Sequence, residues 1–291
     1  MSPNTMVIKK RSLWGDVWKR LRKNPTAVFG MILFLVIVLA CVGARIFYDY
    51  DANVIQVNVR EQLQSPSAAH LLGTDELGRD ILARILWGGG TSLVIASLAL
   101  VFAFCCGTIL GTLAAYYGKF SDTIIMRGID IVMAIPPILL MITLANIMPP
   151  STVSLIFVVG FGLIPNQARL IRGQVLQVST NEYVESARIL GASDFEIITK
   201  HILPNALGPV ITSVIMDIAY AITVISTMSF LGLGVQAPAP EWGAMLAGGR
   251  DYIRNAWHIT TFPGLALMVT IIALTLVGDG MRDALDPKMK R

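Results

Sequence analysis

Asp217 stands alone in a run, Asn205 to Val235, that carries no other charge. An ionisable side chain set among apolar residues is costly unless it has a use or a partner. Its chemistry would be to line a polar path or to carry a proton; pairing with a neighbouring helix or with a partner subunit is the alternative, and the residue alone does not choose. Asp130 has a simpler reading, as a carboxylate near the start of an apolar helix beside Arg127, where the helix dipole favours negative charge. The other reactive types are scattered. Cys41, Cys105 and Cys106 fall in apolar runs without paired CxxC spacing and read as small packing residues. His70, His201 and His258 are far apart, with no HExxH, so no metal is expected. No Ser/His or paired-carboxylate constellation falls within an apolar run. The nearest approach to a phosphate-binding loop, GTLAAYYGKF, has the wrong spacing and no Ser or Thr after Lys119. The chain is expected to be no enzyme and to hold no cofactor of its own.

The elements that must position these residues are apolar. Of 291 residues, 54% are hydrophobic and 14% charged, against roughly 25% charged in a soluble domain, and mean hydropathy is +0.65. A span needs about 20 apolar residues. Uncharged or nearly uncharged runs at 27–47, 91–117, 128–147, 152–171, 205–235 and 262–278 supply six, so the fold class is an all-α membrane protein with six transmembrane helices. The first run is too long for the apolar core of a signal peptide and reads as a retained span. Seven basic residues, Lys9, Lys10, Arg11, Lys19, Arg20, Arg22 and Lys23, precede it. With the N-terminus cytoplasmic, 17 Lys and Arg fall inside and six outside, and this bias sets the orientation. It gives a cytoplasmic segment at 1–26, a first helix at 27–47, an outer loop at 48–90, a core at 91–279 and a cytoplasmic tail at 280–291. The basic residues gather at membrane boundaries, so lipid is the expected partner and nucleic acid is not.

Between spans four and five, EYVESARILGASDFEIITKHILPN (182–205) is polar and cytoplasmic. Ser179 to Glu182 and Ser193 to Glu196 both have the capping-box form. Tyr183, Ala187 and Leu190, flanked by Val184, form one side of the first predicted helix, with Glu182, Glu185 and Arg188 opposite. Gly191 suits a left-handed cap, and Pro204 is expected to close the second helix. Helices of about ten residues need a surface to lie on. That surface is either the chain's own bundle or a docking partner approaching the small Ala187.

Outside, Gly73 and Thr74 are expected to open an interfacial helix over 70–85, with Asp75 and Glu76 in its first turn and Asp80 paired to Arg84 at i, i+4. That helix is an amphipathic brace or a contact for a substrate-delivering protein, through Asp75, Arg79 and Asp80. Glu241 and Trp242 are weighed the same way, since Trp242 and Trp257 suit an interfacial aromatic belt. Gly107 and Gly111 allow close helix packing. Pro136, Pro137 and Pro165 are expected to kink their helices.

The pattern Glu185-Ser186-Ala187, three residues, Gly191, nine residues, His201-Ile202-Leu203-Pro204 resembles the EAA loop of bacterial ABC importer permeases, departing at Ser186 and His201. HLLGTDELGRDILARI (70–85), APAPEWGAML (237–246), FPGLAL (262–267) and GDGMRDALDPK (278–288) resemble the C-type subunit of the dipeptide, oligopeptide and nickel group. The resemblance implies a type I ABC importer permease fold in a bacterial plasma (inner) membrane. It makes Glu185, Ala187, Gly191, Leu203 and Pro204 the coupling contact to an ATPase. The partners it implies are a second homologous permease, two ATP-binding subunits that hold ATP and Mg2+, and an extracytoplasmic substrate-binding protein. Peptides are the expected substrate, with nickel or glutathione as alternatives; the rival of another class is a proton-coupled secondary transporter using Asp217.

Overall fold

A computed structural model describes residues 13–285; Lys9, Lys10 and Arg11 and the final basic residues Lys288, Lys290 and Arg291 lie outside the described residues. The described chain is helical apart from turns and a single bridge between Thr74 and Asp80. A short helix α1 (Leu13–Leu21) buries Val17 and Leu21 and leaves Trp18 half-exposed beneath the Arg22 guanidinium. The turn after it ends on Asn24, whose Oδ1 accepts from Thr26 N at 3.1 Å and Ala27 N at 3.3 Å. With Pro25 in the first turn of α2 (Pro25–Phe47), the amide donors that a helix start leaves orphaned are met or absent.

The core lies where α3 (Ile81–Tyr117) crosses α6 (Thr152–Ser179) and α9 (Leu203–Phe230), closed at the outer end by α10 (Trp242–Gly249) and α11 (His258–Leu285). Small residues set the α3–α6 distance. A Cβ on Gly107 would stand 2.5 Å from Gln167 Cβ, and one on Gly111 would stand 2.5 Å from Ala168 O. Gly160 of α6 returns the contact, 2.8 Å from Ala99 O by the same construction. The glycine pair therefore packs two helices of one chain. Cys41 is buried under Gly89 and Cys105 is exposed on the apolar flank, so the three cysteines do not share one packing role.

Among the described residues five helices are long and apolar enough to cross a membrane, and α4 (Lys119–Met133) with α5 (Pro137–Ile147) makes a sixth if the pair is one broken span. The two meet at 86° across Pro136. Proline removes a ladder hydrogen bond and forces its predecessor out of the helical region, so two in succession do more than the expected kink. Pro165, by contrast, sits inside an unbroken α6. The expected interfacial helix over 70–85 is not formed. Gly73 and Gly78 hold φ of +81° and +75°, which a right-handed helix excludes, and α3 begins only at Ile81 with Asp80 as its cap.

Candidate functional site

On the cytoplasmic side, α7 (Glu182–Ile189) and the single turn α8 (Asp194–Glu196) flank the bend at Gly191. Gly191 has φ +83°, its N–H donates to Arg188 O at 3.1 Å, and Ala192 N–H donates to Ala187 O at 3.1 Å. These two bonds close a Schellman motif. Nothing lies within 4 Å of the point a Cβ would occupy, so backbone conformation and not crowding calls for glycine. The second capping box forms in one direction, Ser193 Oγ accepting from Glu196 N at 3.3 Å. The Glu196 carboxylate turns to Lys200 Nζ at 2.6 Å, and that ammonium holds it below the usual carboxylate range.

Three expectations for this segment need correction. Ser179 ends α6, its Oγ donating to Val175 O at 2.6 Å, and Asn181 takes the cap position of α7. Pro204 closes nothing: the wide turn Ile197–Ile202 runs straight into α9, where Pro204 occupies the first turn and its missing N–H is harmless. The apolar side of α7 is also divided. Val184 and Ala187 are buried against Ile171, Val175 and Ile202 of the chain's own bundle. What remains uncovered is the tip, with Ile189, Leu190 and Phe195 at 78%, 86% and 77% exposure. Glu185 and Arg188 are exposed at 3.6 Å from each other, and Leu203 is half-buried. One tie was not foreseeable: Tyr116, at the end of α3, donates to Asp194 Oδ1 at 2.7 Å and lies under the Arg188 guanidinium at 6.0 Å.

At the outer end, Asp75 Oδ1 accepts from Leu77 N and Arg79 N, each at 2.9 Å, while Oδ2 meets Arg79 Nε at 2.7 Å and Arg84 Nε at 3.3 Å. Arg79 also reaches Glu76 at 3.0 Å, and Arg84 donates to Val54 O at 2.7 Å. Asp75, Arg79 and Arg84 are all buried. Asp80 does not pair with Arg84. Its Oδ1 accepts from Ala83 N at 2.8 Å and its Oδ2 meets His70 Nδ1 at 2.9 Å. Thr74, held through its hydroxyl to Glu61 O and Gln64 N, presents its carbonyl to buried His258 Nε2 at 3.3 Å.

Glu241 is fully buried. One oxygen accepts from Ser92 Oγ at 3.0 Å and Ser226 Oγ at 3.1 Å, and the other caps α10 through Ala244 N at 3.0 Å. Trp242 is buried beside it, donating Nε1 to Ile85 O at 2.9 Å, so of the two expected belt tryptophans only Trp257 is exposed. Asp75 and Arg79 pair with each other, Glu241 bonds two serines and a backbone amide, and Trp242 bonds Ile85 O, so the polar groups of all four have partners inside this chain.

Asp217 is half-buried and accepts from Gln167 Nε2 at 2.8 Å across α6 and α9; Gln167 Oε1 is buried without a hydrogen bond. Asp130 lies in the last turn of α4, not at a helix start, and pairs with Arg169 of α6 at 3.0 Å. A second tie between these helices, Asp122 to Arg172 at 2.5 and 2.7 Å, is bidentate.

A multi-span helical bundle with one broken apolar pair and a capped, bent helix pair between two spans is the architecture of an integral membrane protein. Residues 107–291 match the family model described as "Binding-protein-dependent transport system inner membrane component", and 12–66 match "N-terminal TM domain of oligopeptide transport permease C". The chain belongs to the binding-protein-dependent transport permeases and is a multi-pass inner-membrane protein. It is 38% identical to the dipeptide transport system permease protein DppC of Alkalihalophilus pseudofirmus over 96% of this chain and 91% of that one. To the glutathione transport system permease protein GsiD of Pectobacterium atrosepticum it is 40% identical over 96% and 93%. Its fold is like that of a chain of the inward-facing MetNI methionine ABC transporter, with TM-score 0.55, 18% identity and coverage of 69% and 96%.

Proposed function

We propose that this permease forms half of the membrane path of an ATP-driven importer of short peptides, its other half a second homologous permease. Of its two ATP-binding subunits, which hold ATP and Mg2+, one docks on the bend around Gly191, and an extracytoplasmic binding protein delivers substrate. The observation that carries this reading is the uncovered tip of Ile189, Leu190 and Phe195, set on a bend that two backbone bonds hold rigid. Apolar side chains on a short polar segment are an interaction surface, and a rigid bend can pass on the movement of whatever holds it. Ala187 and Val184 then serve from behind, fixing α7 to the bundle, with Gly191 setting the angle; Glu185 rims the contact, and Leu203 and Pro204 lead into α9. ATP binding biases inward-open against outward-open bundles only to the extent that the docked subunits differ between the two. The chain itself performs no covalent chemistry in this scheme.

Relatives named for dipeptides and for glutathione, itself a tripeptide, support short peptides as the substrate class. Asp217, which among the described residues is bonded by a neutral amide, is the candidate polar residue of the path. Reconstitution of the complete transporter in vesicles tests the proposal. Uptake of a labelled dipeptide should require ATP, and the pair Leu190→Ser with Phe195→Ser should lower it at least tenfold. Uptake that persists without the ATP-binding subunits and follows a pH gradient would replace this reading with proton coupling through Asp217.

A further inference from the structure

Between α2, α3 and α9 lies a cavity of about 590 Å3, within the roughly 300–1,000 Å3 of ordinary ligand sites. Its wall is almost wholly apolar, with Phe34, Val38, Val42, Leu93, Leu98 and Ile218 among the lining residues, and Arg45 is the single charge in it. The flanking Val42, Val94 and Leu98 are about half-exposed, so the cavity opens sideways where lipid would stand.

Arg45 lies two residues before the end of α2, on the side that the charge bias makes extracytoplasmic. Its guanidinium is 5.4 Å above the Trp87 ring, and one terminal nitrogen stands 3.6 Å from where a Cβ on Gly90 would be, which places it at the cavity's mouth. No carboxylate among the described residues is within ion-pair distance of it. Stacking over an indole orients a guanidinium and leaves its in-plane N–H donors free. Those donors match the paired oxygens of a phosphate, the anionic group that every phospholipid head carries.

We propose that this cavity is a binding site for one diacyl phospholipid of the outer leaflet, its phosphate on Arg45 and one acyl chain in the groove between α2, α3 and α9. Both halves of the site matter. A lipid without phosphate leaves the guanidinium unpaired, and a soluble phosphate leaves the groove uncovered.

The test uses the complete transporter purified in detergent and titrated with phosphatidylglycerol, with bound lipid counted by native mass spectrometry. One phosphatidylglycerol per copy of this chain should be retained by the natural protein. Arg45→Gln, which removes the charge, and Ser97→Trp, which fills the groove from its exposed lining position, should each weaken that retention at least tenfold. Diacylglycerol with the same chains should not be retained, and glycerol 3-phosphate should not compete. Unchanged retention in both variants, retention of diacylglycerol to the same degree, or competition by glycerol 3-phosphate would overturn the site. So would a cross-link from Val42→Cys to the second permease, since protein would then cover the groove. Unaltered ATP-driven uptake by both variants in excess lipid shows that they fold.

Discussion

At the outer end of the bundle one cluster of charged side chains is inside. Asp75, Arg79 and Arg84 are each less than a tenth exposed, and Glu241 is wholly enclosed by two serines and a backbone amide. At the inner end the charges are in water and the apolar side chains are uncovered: Glu185 and Arg188 lie on the surface, and Leu190 and Phe195 stand beyond them. A buried ion pair contributes little net stability when intact but is damaging when one partner goes, so the outer cluster behaves as a rigid fixture. The inner bend has little to lose in its own fold and much to lose in contact. Stability is kept at the outer end, and adhesion where the ATP-binding subunits are proposed to dock.

Mutations should separate the two ends. The largest effect is expected of Asp75→Asn, which leaves two buried guanidinium groups facing a neutral amide and should cost about 3–5 kcal/mol, read as a lower midpoint in detergent-titrated unfolding. A cost below about 1 kcal/mol would erase the contrast. Next comes Leu190→Ser with Phe195→Ser, where unfolding should move by no more than about 0.5 kcal/mol while ATP-driven uptake falls at least tenfold, the equivalent of about 1.4 kcal/mol at a docking surface.

Gly191→Ala should cost about 1–2 kcal/mol of left-handed strain, with Gly191→Asn milder because asparagine tolerates that conformation; the ratio of uptake to ATP hydrolysis reports whether the bend still transmits. Tyr116→Phe removes one exposed hydrogen bond, about 0.5 kcal/mol, and should lower that ratio slightly without changing ATP hydrolysis. The smallest effect concerns Glu196, whose carboxyl Lys200 holds low. A depressed folded value gives a contribution present above the ordinary carboxylate range and lost only as acid protonates the folded group. The stability difference between natural protein and Lys200→Met should therefore be flat between about pH 6 and about pH 8 and vanish below the carboxylate range.

The spans were legible because apolar length is a one-dimensional property: Pro25–Phe47, Thr152–Ser179 and His258–Leu285 all contain the runs that announce them. The bend at Gly191 was legible for a similar reason, since its glycine and the Ser193 cap act within a few residues. The outer cluster was misread because Thr74, Asp75 and Glu76 have the form of a helix start, while two glycines five residues apart, Gly73 and Gly78, speak against a helix interior. A Cβ on Gly78 would meet Asn58 O at 1.9 Å, a contact set by residues twenty positions away. Who meets whom across the fold leaves no local trace. Ser92 and Glu241 are 149 positions apart, and nothing near Gln167 in sequence points to Asp217.

Between α4 and α5, Ala134, Ile135 and Pro136 interrupt a stretch apolar enough to be a span, and all three are exposed. Peptide groups inside hydrocarbon must find partners, and this corner supplies them from its own backbone: Ala134 N–H donates to Asp130 O, Ile135 N–H to Val132 O, and Pro136 O accepts from the N–H groups of Leu139 and Leu140. The chain therefore turns through 86° while showing an apolar side-chain surface, a corner made without a polar seam.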